Sequence, residues 1–106
     1  MTFNELGDLL STLDVPVAYD HFDENVGDKI APPFILFRNI DSTTLTADDK
    51  VFSHYENYLV DFITNVKDVE KETMLQELFD TNYLVWDKEE TYIDSERIYQ
   101  VRFFVY

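Results

Sequence analysis

The residues able to do chemistry are few and scattered. Two histidines are present and no cysteine, which removes thiolate nucleophiles, disulfides and cysteine-based metal centres. His21 stands in YDHFDE, among Asp20, Asp23 and Glu24. A metal there would need a second imidazole or carboxylates at ligand spacing. The neighbouring DENVGD fails as a calcium loop, because with Gly27 in the sixth place the first is Phe22 and the fifth Val26. His54 lies inside an expected strand and reads as a surface or cross-strand residue. Asp87, Glu89, Glu90, Asp94 and Glu96 bring carboxylates close together, as acid–base catalysis requires. In a chain with 22 acids such a group arises by chance, and this one falls at an expected strand connection, so it reads as a solvated turn.

Other reaction classes fare no better. Two glycines in the whole chain leave no phosphate-cradling loop. Ser11, Ser42, Ser53 and Ser95 lack the context of a nucleophile elbow. The sequence therefore points to no catalytic residue, no cofactor and no metal, and away from an enzyme.

Charge narrows the partners. Lys and Arg number 8 against 22 acids, a net charge of −14. Phosphate neutralisation needs cations, so specific nucleic-acid binding and anionic membranes are not expected. A basic partner fits, as does a surface that repels DNA. The longest apolar runs, Phe34 to Phe37 and Phe103 to Tyr106, are far too short to span a bilayer. The N-terminal MTFNELGDLL carries acids where a signal peptide carries cations.

The elements that must hold these residues follow from periodicity. The chain of 106 residues suits one domain. Nine Phe, seven Tyr and one Trp supply large apolar area for its core. Phe3, Leu6, Leu9, Leu10 and Leu13 form one stripe of a helix from Thr2 to Leu13. Thr2 and Glu5 fit a capping box, and Gly7 inside the helix implies close packing. Pro16 ends it. Val17 to Asp20 suits a short strand, residues 21–33 a loop with Pro32–Pro33, and Phe34 to Asn39 a second strand covered on both faces. Asp41 to Lys50, DSTTLTADDK, reads as a long loop. Phe52 to Thr64 suits a long strand with Tyr58, Val60 and Phe62 on one face, and Asp61 making the other partly wet. Asp68 to Asp80 is a second helix, capped by Asp68, with a stripe of Val69, Met74, Leu75, Leu78 and Phe79. Strands from Tyr83 to Lys88 and from Ser95 or Glu96 to Tyr106 close the order α-β-β-β-α-β-β. The fold class is α+β, with a mostly antiparallel or mixed sheet and both helices on one face.

Two features fit a plain solvated domain poorly. The apolar Phe103 to Tyr106 strand is an aggregation hazard unless it is central in the sheet, covered by a helix or paired with another subunit. The long Asp41–Lys50 segment looks like an arm that orders against a neighbour.

Set in order, LLSTLDVPVAYDHF, PPFILF, ADDKVFSHYENYLVDFIT and WDKEETYIDSERIYQVRF resemble short acidic proteins of long-tailed phages and prophages of Gram-positive bacteria, the tail-terminator or tail-completion family. The ordered set carries the resemblance, above all Ala47-Asp48-Asp49-Lys50-Val51 and Glu90-Thr91-Tyr92-Ile93; the acidic 23–31 stretch departs from it. The resemblance implies a structural virion protein, made in the bacterial cytoplasm and placed at the tail–neck junction. It would form a ring, commonly a hexamer, that caps the tail tube and meets the head–tail connector. A hexamer would carry 6 × −14 = −84 charges, and an acidic lumen would keep DNA from sticking. Asp41, Thr44, Leu45, Asp48, Asp49 and Lys50 are the expected subunit-contact loop, with Phe104 and Tyr106 a terminal-strand contact. A head-closure protein of the same neck region and an acidic DNA-mimic inhibitor are the alternatives.

Overall fold

A computed structural model describes residues 2–21, 30–47 and 50–106, and side chains outside 43–55. Helix α1 spans Phe3–Leu10 and passes into a 3₁₀ turn, Ser11–Leu13. Thr2 caps it, its hydroxyl accepting from the Glu5 N–H at 3.2 Å. Asp14, left-handed at φ 57°, ends the turn ahead of Pro16. Strand β1, Val17–Tyr19, follows; then β2, Phe34–Ala47, and β3, Lys50–Thr64. Helix α2, Val69–Thr81, leads to β4, Trp86–Ile93, and β5, Ile98–Val105. The sheet order is β1-β2-β3-β5-β4; β1 runs parallel to β2 and every other pairing is antiparallel. The result is an α+β fold with the expected element order.

One face of the sheet carries the core. Ile35 and Phe37 of β2, Tyr58, Val60 and Phe62 of β3, and Val101, Phe103 and Val105 of β5 are buried with Leu6, Leu10 and Leu13, and with Leu75 and Phe79 of α2. Both helices therefore lie on that face. Gly7 is the point of closest approach, since a Cβ there would meet the Phe37 ring at 3.2 Å. Phe103 sits in edge-to-face contact with Phe79 at 5.4 Å and Trp86 at 5.6 Å. The apolar terminal strand is thus central and covered by α2. The opposite face is mixed: Leu59 and Ile63 are buried between flanking strands, while Arg102 grips Asp61 through Nε (2.8 Å) and Nη2 (3.2 Å).

Several expected boundaries move. The segment Asp41 to Lys50 is no loop: Asp41–Ala47 continues β2, Lys50 opens β3, and the two strands pair through to Ala47↔Lys50. Polarity suggested a loop, but Thr43, Thr44, Leu45 and Thr46 are strand formers with no Gly or Pro among them. Strand β4 starts at Trp86 rather than Tyr83 and runs on through Glu89 and Glu90 to Ile93, because it pairs along the whole of β5. Of the expected α2 stripe, Val69 and Met74 are exposed; the buried positions are Glu72, Leu75 and Phe79.

Candidate functional site

The most distinctive local structure is the outer half of the β2–β3 hairpin. β1 leaves β2 at Tyr19↔Phe37, and β5 leaves β3 at Tyr58↔Val105. Beyond that level, from Asp41↔Asn57 to Ala47↔Lys50, no further strand flanks the pair among the described residues. The two-stranded arm is about 23 Å long at strand rise, in a molecule with extents of 51 × 30 × 26 Å.

Its root is built from polar side chains. A bulge at Ile40 interrupts the register between Asn39 and Asp41. The Glu56 carboxylate spans it, accepting from Asn39 Nδ2 at 2.6 Å and from Ser42 Oγ at 3.1 Å. Asn57 Nδ2 donates to Asp41 Oδ1 at 2.5 Å. The Tyr19 hydroxyl accepts the Asn39 N–H at 3.0 Å, closing the edge of β2 where β1 ends. Beside this clasp Tyr58 is buried, and burial, reinforced by the Glu56 charge, pushes its phenol pKa up. The arm therefore leaves the body at a fixed level. Bulges turn and twist a strand, and a second one, between Leu45 and Thr46, re-aims the ladder near the tip.

The expected contact residues distribute along this arm. Asp41 is at the root, Thr44 pairs with His54, Leu45 with Ser53, and Lys50 with Ala47. Asp48 and Asp49 lie outside the described residues, as does most of the 23–31 stretch. Phe104 is half-buried on the open sheet face, and Tyr106 is 48% exposed. Sequence reasoning missed Asn39, Ser42, Glu56 and Asn57, whose meeting depends on the bulge and on the strand register.

Close by, α2 ends unusually. The Leu84 N–H bonds the Phe79 carbonyl at 2.9 Å, and the Tyr83 N–H the Asp80 carbonyl at 3.1 Å. That is a Schellman closure, in which the residue after the cap adopts the left-handed conformation usual for glycine. Here it is Tyr83, at φ 58°. A side chain there costs roughly 1 kcal/mol or more. The Tyr83 side chain is 95% exposed, so the ring itself recovers none of that cost by burial, and the closure is held by its two hydrogen bonds and by Leu84, which packs against the core. Two residues on, Val85 is 67% exposed and accepts the Tyr106 N–H at 2.9 Å.

The carboxylates take structural parts. Glu72, 5% exposed on α2, receives Lys67 Nζ at 2.5 Å and Lys88 Nζ at 2.8 Å. Lys67 also bonds Glu90, and Lys88 bonds Gln76 Oε1 at 2.8 Å. This network ties α2 to the edge strand β4. Burial alone would raise the Glu72 pKa, but the hydrogen bonds and charges of Lys67 and Lys88 outweigh it and hold the pKa low. The clustered acids do not converge: Asp87, Glu89 and Glu90 lie on exposed β4 and Asp94 and Glu96 on the turn after it. His21 is exposed, its ring 3.0 Å from Asp20. Among the described residues, no three His, Cys, Asp or Glu side chains gather as a metal site would require. A cavity of about 200 Å³ opens beside Arg38, Asp61 and Arg102, where Asp61 and Arg102 are committed to each other. No helix is long and apolar enough to cross a membrane among the described residues.

Comparison with protein-family models and with curated proteins finds no match to this chain.

Proposed function

We propose that the chain is a virion assembly protein of long-tailed phages, one that caps the tail tube as a ring and joins it to the head connector. The resemblance named above supplies the role. The observation that carries it to this structure is the arm. A lone two-stranded ribbon is marginal in water, and the arm extends beyond the strands that support the rest of the sheet. Such an element gains stability by packing on another molecule, and its clasped root sets the direction in which it reaches. A heterologous contact of this kind repeats around a ring when the rotation closes. The alternative as a DNA mimic draws less support, because Asp61 and Glu72 are occupied in internal ion pairs.

The test is co-assembly with the tail-tube protein, read by negative-stain microscopy and mass measurement. Tubes that stop at a defined length under a terminal ring are expected. Replacing Thr43–Tyr55 by an Asn-Gly turn, which joins Ser42 and Glu56 directly across the ladder, should leave a folded monomer that no longer caps. Tubes of unchanged length in the presence of the intact protein would refute the cap; binding to the connector without any effect on the tube would move the chain to head closure.

A further inference from the structure

We propose that the β2–β3 arm has two registers with common ends, and that repulsion between Asp41 and Glu56 selects the bulged one. The inference does not depend on the cap reading.

The common ends are set by the pairing. Asn39↔Tyr58 is the last pair before the first bulge, and Thr46↔Val51 and Ala47↔Lys50 form the tip beyond the second. Between them lie Ile40 to Leu45 on β2 and Phe52 to Asn57 on β3, six residues on each strand. Equal numbers allow a straight ladder from body to tip with no bulge at all. The arm instead slips by one residue. Asp41 to Leu45 pair with Asn57 to Ser53, and Ile40 on one strand and Phe52 on the other have no place in the ladder. The second bulge thus cancels the first.

No other strand imposes this slip. β1 leaves at Tyr19↔Phe37 and β5 at Tyr58↔Val105, so among the described residues nothing flanks the slipped segment. Each bulge breaks the ladder, and the first leaves Ile40 41% exposed. On backbone grounds the straight ladder is the better one. Side chains reverse the choice. In the straight ladder Ile40 would pair with Asn57, and Asp41 with Glu56, two carboxylates directly opposite each other. The slip carries Asp41 to the other face of the ribbon, where Asn57 Nδ2 donates to it at 2.5 Å. It also sets Ser42 against Glu56, whose carboxylate accepts from Ser42 Oγ at 3.1 Å and from Asn39 Nδ2 at 2.6 Å. Repulsion in one register is exchanged for three donors in the other. A one-residue slip turns a strand over. Removing the repulsion therefore turns over Asp41 to Leu45 while body and tip keep their pairs.

The parent chain has no cysteine, so cross-strand disulfides can read the register. Thr44 pairs with His54 in the bulged ladder and with Ser53 in the straight one, while Thr46 pairs with Val51 in both. Three full-length proteins, Thr44→Cys/His54→Cys, Thr44→Cys/Ser53→Cys and Thr46→Cys/Val51→Cys, are equilibrated in a glutathione buffer, and linkage is measured by mass spectrometry. In the parent background the first should link about tenfold or more over the second. Adding Glu56→Lys gives Asp41 a cation opposite it in the straight ladder and takes the acceptor from Asn39 and Ser42; the order should reverse. Adding Glu56→Gln removes the repulsion alone, and the margin should narrow. The third protein should link in every background. Equal linkage of the first two in the parent background overturns the proposal. So does a margin unchanged by both substitutions. Loss of the third link under either substitution overturns it as well, because the arm then melts instead of changing register.

Discussion

The Glu72 network allows a prediction whose sign and pH window both follow from the structure. The perturbation is Glu72→Gln, which keeps the shape of the side chain and removes its charge. Glu72 is buried and receives two ammonium groups, at 2.5 and 2.8 Å. Hydrogen bonds to charged groups contribute about 1.5–3 kcal/mol each where desolvated. Lys67 and Lys88 are about one-third exposed, and each keeps another partner, Glu90 or Gln76. Solvent screening therefore reduces the figure, and the expected loss at pH 7 is about 1–2 kcal/mol. The Glu72 pKa is depressed in the folded protein, so its contribution is present above the unfolded value, 4.5, and is lost as pH falls through the lower folded value. For Lys67, burial favours the neutral amine, but its bonds to Glu72 and Glu90 prevail and raise the pKa; that contribution is present below 10.5 and is lost as pH rises through the higher folded value. The network thus operates between these limits. The assay is urea unfolding of parent and variant at pH 7 and again near pH 3, with tryptophan fluorescence from Trp86 as readout. The gap in stability seen at pH 7 should narrow at the lower pH, because below 4.5 the unfolded chain protonates Glu72 and the ionised folded form loses its advantage. An equal gap at both pH values, or no gap at pH 7, would refute an electrostatic clamp.

Two further outcomes test the core. Gly7→Leu forces a branched side chain into the space where even a Cβ would lie 3.2 Å from the Phe37 ring; a loss of about 1–3 kcal/mol is expected from overpacking, measured by thermal circular dichroism. Removing Phe103–Tyr106 deletes Phe103 and Val105, 0% and 2% exposed at the centre of the sheet; loss of Phe103 alone is worth about 3–5 kcal/mol, so the truncated chain should be unfolded by circular dichroism. A folded truncated chain that had lost only assembly would place the terminal strand at the interface instead.

Much of the fold was legible because it depends on period. The alternation of Tyr58, Val60 and Phe62 and the caps at Thr2 and Asp68 are local patterns that emerge as read, and the stripe of Phe3, Leu6, Leu9, Leu10 and Leu13 does so for Leu6, Leu10 and Leu13, which are buried, while Leu9 is half-buried and Phe3 is exposed. Gly7 was legible too, as a gap in a helix that only close packing explains. The arm was not. Its threonines and acids have the polarity of a loop, and strand pairing there comes from the partner strand across the hairpin rather than from the segment itself. The clasp at its root was hidden for the same reason: Asn39 and Glu56 are 17 residues apart and meet only through a bulged register.

What the amino acids determined by themselves is the α+β class, the one-sided core, and the need for an apolar last strand to be covered or paired. Hydrophobic spacing and residue inventory are enough for those, because they are properties of single segments or of the whole composition. Tertiary structure alone decided which polar residues act together. It turned a presumed loop into a projecting ribbon, drew Glu72 into a helix stripe read as apolar, and set Tyr83 in a glycine conformation with its ring in solvent. Each of those depends on where a second segment passes, and that is a matter of register and packing geometry which no local pattern encodes.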